Sequence, residues 1–340
     1  MTVKSPALIQ TDTVLAVDQL RLDLSGPSEQ LELVQDVSFE VRAGETVALI
    51  GESGCGKSLT ALAILGLLPQ AVRIAGGSVV LAGEDITRAS STRLSALRGS
   101  VVGAVFQDPM SSLDPTMTVG DQIAESRRLH LGESRKTAGE RAVELLDLVG
   151  ISNPRARAAS FPFQFSGGMQ QRALIAAAVA CEPRLLIADE PTTALDVTVQ
   201  AEILELLEDL LGRTKMALLL VTHDLGVVAG VADRVVVMYA GQAAEQAPTD
   251  ELFASPAHPY TRALLSSVPQ VGRTRQPLPV IGGRVPPAGV FPDGCRFQDR
   301  CAHVVPGVCT VGPIEIRHVA VEHESRCVHA SAQFGSEPSL

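Results

Sequence analysis

One eight-residue run constrains this chain more than any other feature. Gly51-Glu-Ser-Gly-Cys-Gly-Lys-Ser58 fits G-x-x-x-x-G-K-[ST] in full, with an apolar strand pattern from Thr46 to Ile50 before it and the helical pattern SLTALAILGLL, stopped by Pro69, after it. A strand, a glycine-rich turn and a helix in that order form a cradle for phosphate. Bare backbone N–H groups curl around anionic oxygens, and the helix adds its positive N-terminal end. The expected contacts are Gly51, Glu52, Ser53, Gly54, Cys55, Gly56, Lys57, Ser58 and Leu59. Lys57 can reach the β- and γ-phosphates, and the Ser58 hydroxyl can ligate Mg²⁺. At Cys55 the backbone matters more than the thiol. An ordinary glycine-rich turn is the alternative, and the two flanking elements argue against it.

A second apolar strand, Leu185-Leu-Ile-Ala-Asp-Glu190, ends in two carboxylates. Asp189 suits Mg²⁺ coordination, directly or through water, and Glu190 is placed to polarise an attacking water as general base. Alone, such a pair reads as a solvated turn; beside a phosphate cradle the balance reverses. Gln107 ends the strand-like Val101–Phe106, and His223 follows the buried-type strand Met216–Thr222. Ligands of open α/β sheets gather at the carboxyl ends of strands, where these polar residues fall.

Composition narrows the partners. With 28 Lys+Arg against 38 Asp+Glu the formal net charge is -10, so no cation surplus speaks for nucleic acid. Hydrophobic residues make up 46% of the 340, enough for a sizeable core. No apolar stretch approaches the ~18–20 residues needed to span a bilayer, and MTVKSPALIQTDT at the N-terminus lacks a signal pattern, which places the chain in the cytosol.

Residues 14–50 read as strands separated by turns, and strands and helices then alternate to about residue 240, the mark of an α/β core. Between Asp108 and about Phe163 the pattern turns helical, which predicts an inserted helical subdomain. From about Gln242 proline and glycine become frequent and mark an extension. The expected division is a core of 14–107 and 164–241, a helical insertion of 108–163, an extension of 242–330, and disordered tails at 1–13 and 331–340.

Phe165-Ser-Gly-Gly-Met-Gln-Gln-Arg172 closely resembles the signature motif of ABC ATPases, Gln107 the Q-loop glutamine, Thr193-Ala-Leu-Asp196 the D-loop and His223 the switch histidine. The five motifs occur in the family's order and spacing. The resemblance implies a P-loop NTPase core with an N-terminal antiparallel β subdomain. It makes Glu190, His223 and Gln107 catalytic and has Ser58, Gln107 and Asp189 hold Mg²⁺ beside ATP. It also implies a head-to-tail pair of ATPases in which Ser166, Gly167, Gly168 and Gln170 meet the nucleotide of the other subunit and Asp196 lies at the dimer contact. DPMSSLDPTMTVGDQ and SPAHPYTRALLSSVP are similar to segments of dipeptide and oligopeptide importer subunits, with nickel importers close by. The implied protein is an ATPase coupled to transport, peripheral on the cytoplasmic face of the membrane. Its implied partners are a second ATPase subunit, two permease subunits and an extracytoplasmic substrate-binding protein. Two rivals were weighed. One is a non-hydrolytic regulatory ATP-binding subunit, against which Glu190 and His223 speak. The other is a soluble ABC ATPase of DNA repair or translation, against which the lack of long coiled coils, of a second cassette and of positive charge speaks.

Two departures stand out. The family places an adenine-stacking aromatic near position 24, where this chain reads Leu22-Asp-Leu24, and FPFQF stands where relatives have a histidine near Phe163. Cys295, Cys301, Cys309 and Cys327 crowd the extension in a C-x5-C-x7-C-x17-C spacing, leaving only Cys55 and Cys181 elsewhere. In a reducing cytosol such a group suits a metal centre better than disulfides. The spacing lacks C-x2-C knuckles, which favours [4Fe-4S] over Zn²⁺, with plain reduced thiols the remaining alternative.

Overall fold

The computed structural model describes residues 12–25, 30–107, 112–193, 195–267 and 281–330. Both expected tails except residues 12 and 13, the start of the helical insertion at Asp108 to Ser111, and Ala194 of the D-loop lie outside the described residues.

Alternating apolar residues make β1 (Thr13–Ser25) and β2 (Gln30–Arg42) an antiparallel ribbon, with Leu15 opposite Val41, Val17 opposite Phe39 and Leu22 opposite Val34. The chain leaves it for β3 (Thr46–Ile50), passes through α1 (Lys57–Leu65) and returns as β4 (Val72–Leu81) and β5 (Glu84–Asp85). The result is a four-stranded sheet in the order β2-β1-β4-β5, the expected N-terminal antiparallel subdomain. Helix α1 ends earlier than Pro69 suggests. Gly66 adopts a left-handed conformation (φ 62°), and its N–H and that of Leu67 bond back to Ala63 and Leu62. A glycine cap of this kind stops a helix before a downstream proline is reached.

The larger sheet is laid down next. After α2 (Ser91–Leu97) come β6 (Val102–Val105), a helical stretch of α3 (Val119–Leu131), α4 (Arg135–Leu148) and α5 (Pro154–Ala158), then α6 (Gly167–Ala178) and β7 (Leu185–Asp189). Helix α7 (Val197–Arg213) leads to β8 (Ala217–Val221), and α8 (Leu225–Val231) to β9 (Arg234–Tyr239). Strands β3, β6, β7, β8 and β9 are parallel neighbours in the order β9-β3-β8-β7-β6. Their near-continuous apolar runs follow from being covered on both faces. Thr118 and Ser134 cap α3 and α4, whose buried faces, with Val119, Ile123, Ala138, Ala142 and Leu146, pack onto the α6 side of the core.

The extension does not hang free of this sheet. Strand β10 (Gln242–Pro248) pairs antiparallel with β9, and after α9 (Thr249–Ala254) and α10 (Pro259–Ser266) the chain adds β11 (Arg317–Ala320) and β12 (His323–Ser325) to the same edge. The sheet thus has eight strands, β11-β12-β10-β9-β3-β8-β7-β6. Buried arginines pin the irregular part. Arg296 bonds the Ala240 carbonyl, Glu32 and Gln35, and Arg326 bonds the carbonyls of Ala243, Ile314 and Asp36.

Candidate functional site

Parallel order puts the carboxyl ends of β3, β6, β7 and β8 on one rim, and a cleft of about 670 Å³ opens there. It is lined by the 51–59 loop together with Gln107, Glu190, Thr193 and His223. The loop follows β3 only because Gly51 is a glycine. Its φ of 147° suits no ordinary side chain, and a Cβ there would stand 2.1 Å from the Met238 carbonyl oxygen. Lys57 Nζ donates to the carbonyls of Gly51 (2.7 Å) and Glu52 (3.2 Å), so the ammonium lies across the head of the loop. The Cys55 thiol points away into the core beneath the loop, and burial pushes its pKa up. Only its backbone belongs to the cradle.

At the other end, Ser58 Oγ and Asp189 Oδ1 are 3.4 Å apart. Burial holds the Asp189 carboxyl above its ordinary range. Glu190 sits at φ 49°, a left-handed backbone conformation unusual for glutamate and of the kind found where geometry serves a site. Its carboxylate receives Gln107 Nε2 at 3.0 Å, Thr193 Oγ1 at 2.9 Å and His223 Nδ1 at 3.1 Å. Burial alone would raise its pKa, but the bonds from His223 and Thr193 outweigh that and hold it below the usual carboxylate range. Glu190 is therefore an anion at neutral pH, the form a base requires. Gln107 and His223 thus both meet Glu190. Gln107 directs its amide nitrogen at Glu190, so its bonding partner here is the base and not the Ser58–Asp189 pair.

The signature residues lie elsewhere. Ser166 caps α6 by accepting the Met169 N–H at 3.3 Å, and with Gly167 it is exposed. Gly168 is needed for close packing, since a Cβ there would meet Val199 at 2.7 Å. None of these residues lines the cleft of their own chain. Gln170 departs from its expectation. It is buried, and its amide donates to the Pro162 carbonyl at 2.9 Å, so in this chain it braces the start of α6. Asp196 is exposed and caps α7 through the Val199 N–H at 3.0 Å.

The adenine position also resolves differently. Leu22 is fully buried in the small sheet, and neither it nor Leu24 lines the cleft. Leu264 on α10 lines the cleft instead. Two further extension residues touch the loop: Tyr260 Oη accepts the Glu52 N–H at 3.0 Å, and Arg300 pairs with the Glu52 carboxylate at 2.6 and 3.0 Å. Sequence reading missed all three, for no motif marks them.

Cys295, Cys301, Cys309 and Cys327 do come together around one small cavity, and all six cysteines of the chain are free thiols. Backbone N–H groups of His303, Val305 and His329 point at the sulfurs of Cys301, Cys309 and Cys327 at 3.3–3.4 Å. Burial pushes Cys295 and Cys327 up to about 11, which keeps both protonated as they stand. Among the described residues no three of His, Cys, Asp or Glu are gathered so as to hold a metal ion. The expected iron–sulfur or zinc centre therefore has no preformed ligand set among the described residues.

Known proteins agree with the cleft. The ABC transporter family profile matches residues 34–193, and that of the oligopeptide/dipeptide transporter C-terminal region matches residues 244–309. The oligopeptide transport ATP-binding protein AppD of Bacillus subtilis is 45% identical over 90% of this chain and 94% of its own. This chain is an ABC transporter ATP-binding subunit of the oligopeptide/dipeptide group. The dipeptide transport ATP-binding protein DppD of the same organism is 46% identical over 85% of this chain and 87% of its own. Among solved structures, the ATP-binding cassette MJ0796, a dimer bound to ADP and Pi, superposes with a TM-score of 0.62 at 26% identity, covering 69% of this chain and 98% of the other. As an ABC transporter ATPase this chain uses ATP with Mg²⁺. No helix among its described residues is long and apolar enough to cross a membrane.

Proposed function

We propose that this ATPase powers import of di- or oligopeptides, paired head to tail with a second ATPase subunit beneath two permease subunits that receive cargo from an extracytoplasmic binding protein. The observation that carries the hydrolytic part is the ionised Glu190, held at once by Gln107, Thr193 and His223. Two of these holders stand on the sheet rim at which a γ-phosphate would arrive. In this reading Lys57 and the loop amides cradle the phosphates, Ser58 and Asp189 hold Mg²⁺, and Glu190 takes the proton from water. Most of the acceleration is positioning and electrostatic stabilisation of the transferring phosphoryl group. The exposed cap of α6, outside its own cleft, supports a signature that serves a partner's nucleotide.

Peptide as cargo is supported by the two Bacillus relatives and by the extension matched to the oligopeptide/dipeptide family. ATPase activity of the complex, stimulated by a binding protein loaded with dipeptide, tests it. Stimulation by nickel-loaded protein alone would move the chain to the nickel group. For the head-to-tail arrangement, Ser166→Arg is expected to stop hydrolysis while the isolated subunit binds ATP as before; lost affinity in that subunit would contradict it.

The four-cysteine set is where a cluster or zinc would sit if the extension carries one. What speaks for it is that the four thiols line one cavity and that N–H groups are aimed at three of the sulfurs. Such a group would be structural, since the hydrolytic residues lie across the cleft. Anaerobic purification with iron, sulfide and zinc analysis tests it, and four titrating thiols with no metal would end the idea.

A further inference from the structure

Glu52 is the first variable residue of the phosphate loop, and the pattern places no demand on its side chain. In the structure every polar group of that residue is engaged. Its N–H is donated to Tyr260 Oη at 3.0 Å. Its carbonyl accepts Cys55 N at 3.3 Å and Lys57 Nζ at 3.2 Å. Its carboxylate is gripped end-on by Nη1 and Nη2 of Arg300 at 2.6 and 3.0 Å. Arg300 is itself fixed: its side chain is 4% exposed, it donates to Tyr239 Oη at 3.2 Å and to the carbonyls of Gly282 (2.8 Å) and Ile281 (3.3 Å), and it lies by the Tyr239 and Phe297 rings. Tyr260 is fully buried against those same rings.

We propose that Arg300 and Tyr260, both from the extension, are positioning residues for nucleotide binding that act through Glu52 by fixing the peptide plane at the head of the phosphate loop. The chemistry follows from the bonding. With the Glu52 N–H turned outward to Tyr260, the Gly51 carbonyl of the same peptide faces inward and holds Lys57 at 2.7 Å, while the Glu52 carbonyl of the next peptide holds Lys57 and the Cys55 N–H; together they set the curl of the loop. An unpinned Gly51–Glu52 peptide could flip, and the loop N–H groups would then meet phosphate at the wrong angle, a loss a preorganised anion site feels directly. A planar guanidinium suits this task because its paired donors fix the carboxylate in orientation as well as distance. Arg300 also adjoins Cys301, so the cysteine-bearing segment and the phosphate loop are joined through one side chain.

This rests on the loop being the nucleotide site, which binding of a fluorescent ATP analogue to the unaltered full-length chain checks first. In Glu52→Gln, Arg300→Ala and Tyr260→Phe the dissociation constant is expected to rise about three- to tenfold. Arg300→Lys should fall between Arg300→Ala and the parent, and Glu52→Gln/Arg300→Ala should be no weaker than Arg300→Ala alone, because both act on one link. Melting temperatures separate affinity from folding, and Glu52→Gln, a mild change at a partly exposed site, should melt with the parent. Unchanged affinity in Glu52→Gln and Tyr260→Phe, or additive losses in the double variant, overturns the proposal. Absence of binding by the unaltered chain overturns the reading of the loop as well.

Discussion

Two glutamates mark the two ends of the cleft, and they are held in opposite ways. Glu190 is bonded by Gln107 and His223, both exposed, the His223 side chain to 64%. Glu52 is bonded by Arg300 and Tyr260, both buried. Groups standing in water can exchange partners at little cost, whereas groups in a packed interior cannot shift without disturbing their neighbours. The cradle that grips phosphate is thus built rigid, and the end where bonds break is built to rearrange. A hydrolytic site has to admit water and release phosphate, while a cradle gains from holding still.

The largest expected effect lies at the adjustable end. Glu190→Gln keeps the size and loses the charge, so turnover should fall by about a hundred- to ten-thousandfold, the range of a lost general base. ATP affinity should stay near that of the parent, because Lys57 and the loop are untouched. Phosphate-release kinetics on the assembled complex measure this. Turnover near the parental rate would show that Glu190 is not the base, and would remove the contrast between the two ends.

The rigid side should be sensitive to acid. His258 is buried, accepts the Tyr260 N–H at 3.0 Å and faces Glu245, and burial lowers its pKa to about 4. An unfolded chain gains that proton below about 6.5. The folded state therefore keeps this contribution above pH 6.5 and loses it as the pH falls toward 4, a loss on the order of 2–3 kcal/mol. His323 works with the opposite sign. Its bond to buried Glu245, at 2.8 Å, raises its pKa, so that contribution is present at low pH and is lost as the pH rises through its folded value. His258→Asn, whose carboxamide oxygen can still accept the Tyr260 N–H, should flatten the decline between pH 6.5 and 4 in chemical denaturation. An unchanged slope would show that other groups carry the acid response.

How much of this was legible beforehand follows the same division. The adjustable end consists of residues at strand ends in short motifs, so Gln107, Asp189, Glu190 and His223 could be placed from order and spacing alone. The rigid end depends on partners far away in the chain: Arg300 is 248 residues from Glu52, and nothing local pairs them. Periodicity reports which face of an element is buried but not what it is buried against, so Leu264 and Tyr260 were invisible as cleft residues. The orientation of Gln170 was hidden for a related reason. A motif names a residue without saying which way its side chain turns, and here it turns inward to Pro162. The proline- and glycine-rich extension looked detached because its link to the core, β10 beside β9, is a pairing and not a pattern.

Burial as the source of rigidity can be isolated with a second arginine fork. Arg93 grips Glu84 with Nε at 2.9 Å to Oε1 and Nη2 at 2.5 Å to Oε2, a bidentate pair like that of Arg300 and Glu52 though made side-on. The difference is surroundings, for these side chains are 51% and 38% exposed. Water solvates both partners about as well apart as together, and holding two long side chains costs entropy, so such a pair contributes little. Glu84→Gln should shift the melting temperature by about one degree or less, and 1 M salt should leave even that difference undetectable. Nucleotide affinity should not change. If Glu84→Gln instead cost as much as Arg300→Ala, fork geometry and not burial would set the strength of these pairs. Rigidity at the phosphate end would then need another cause.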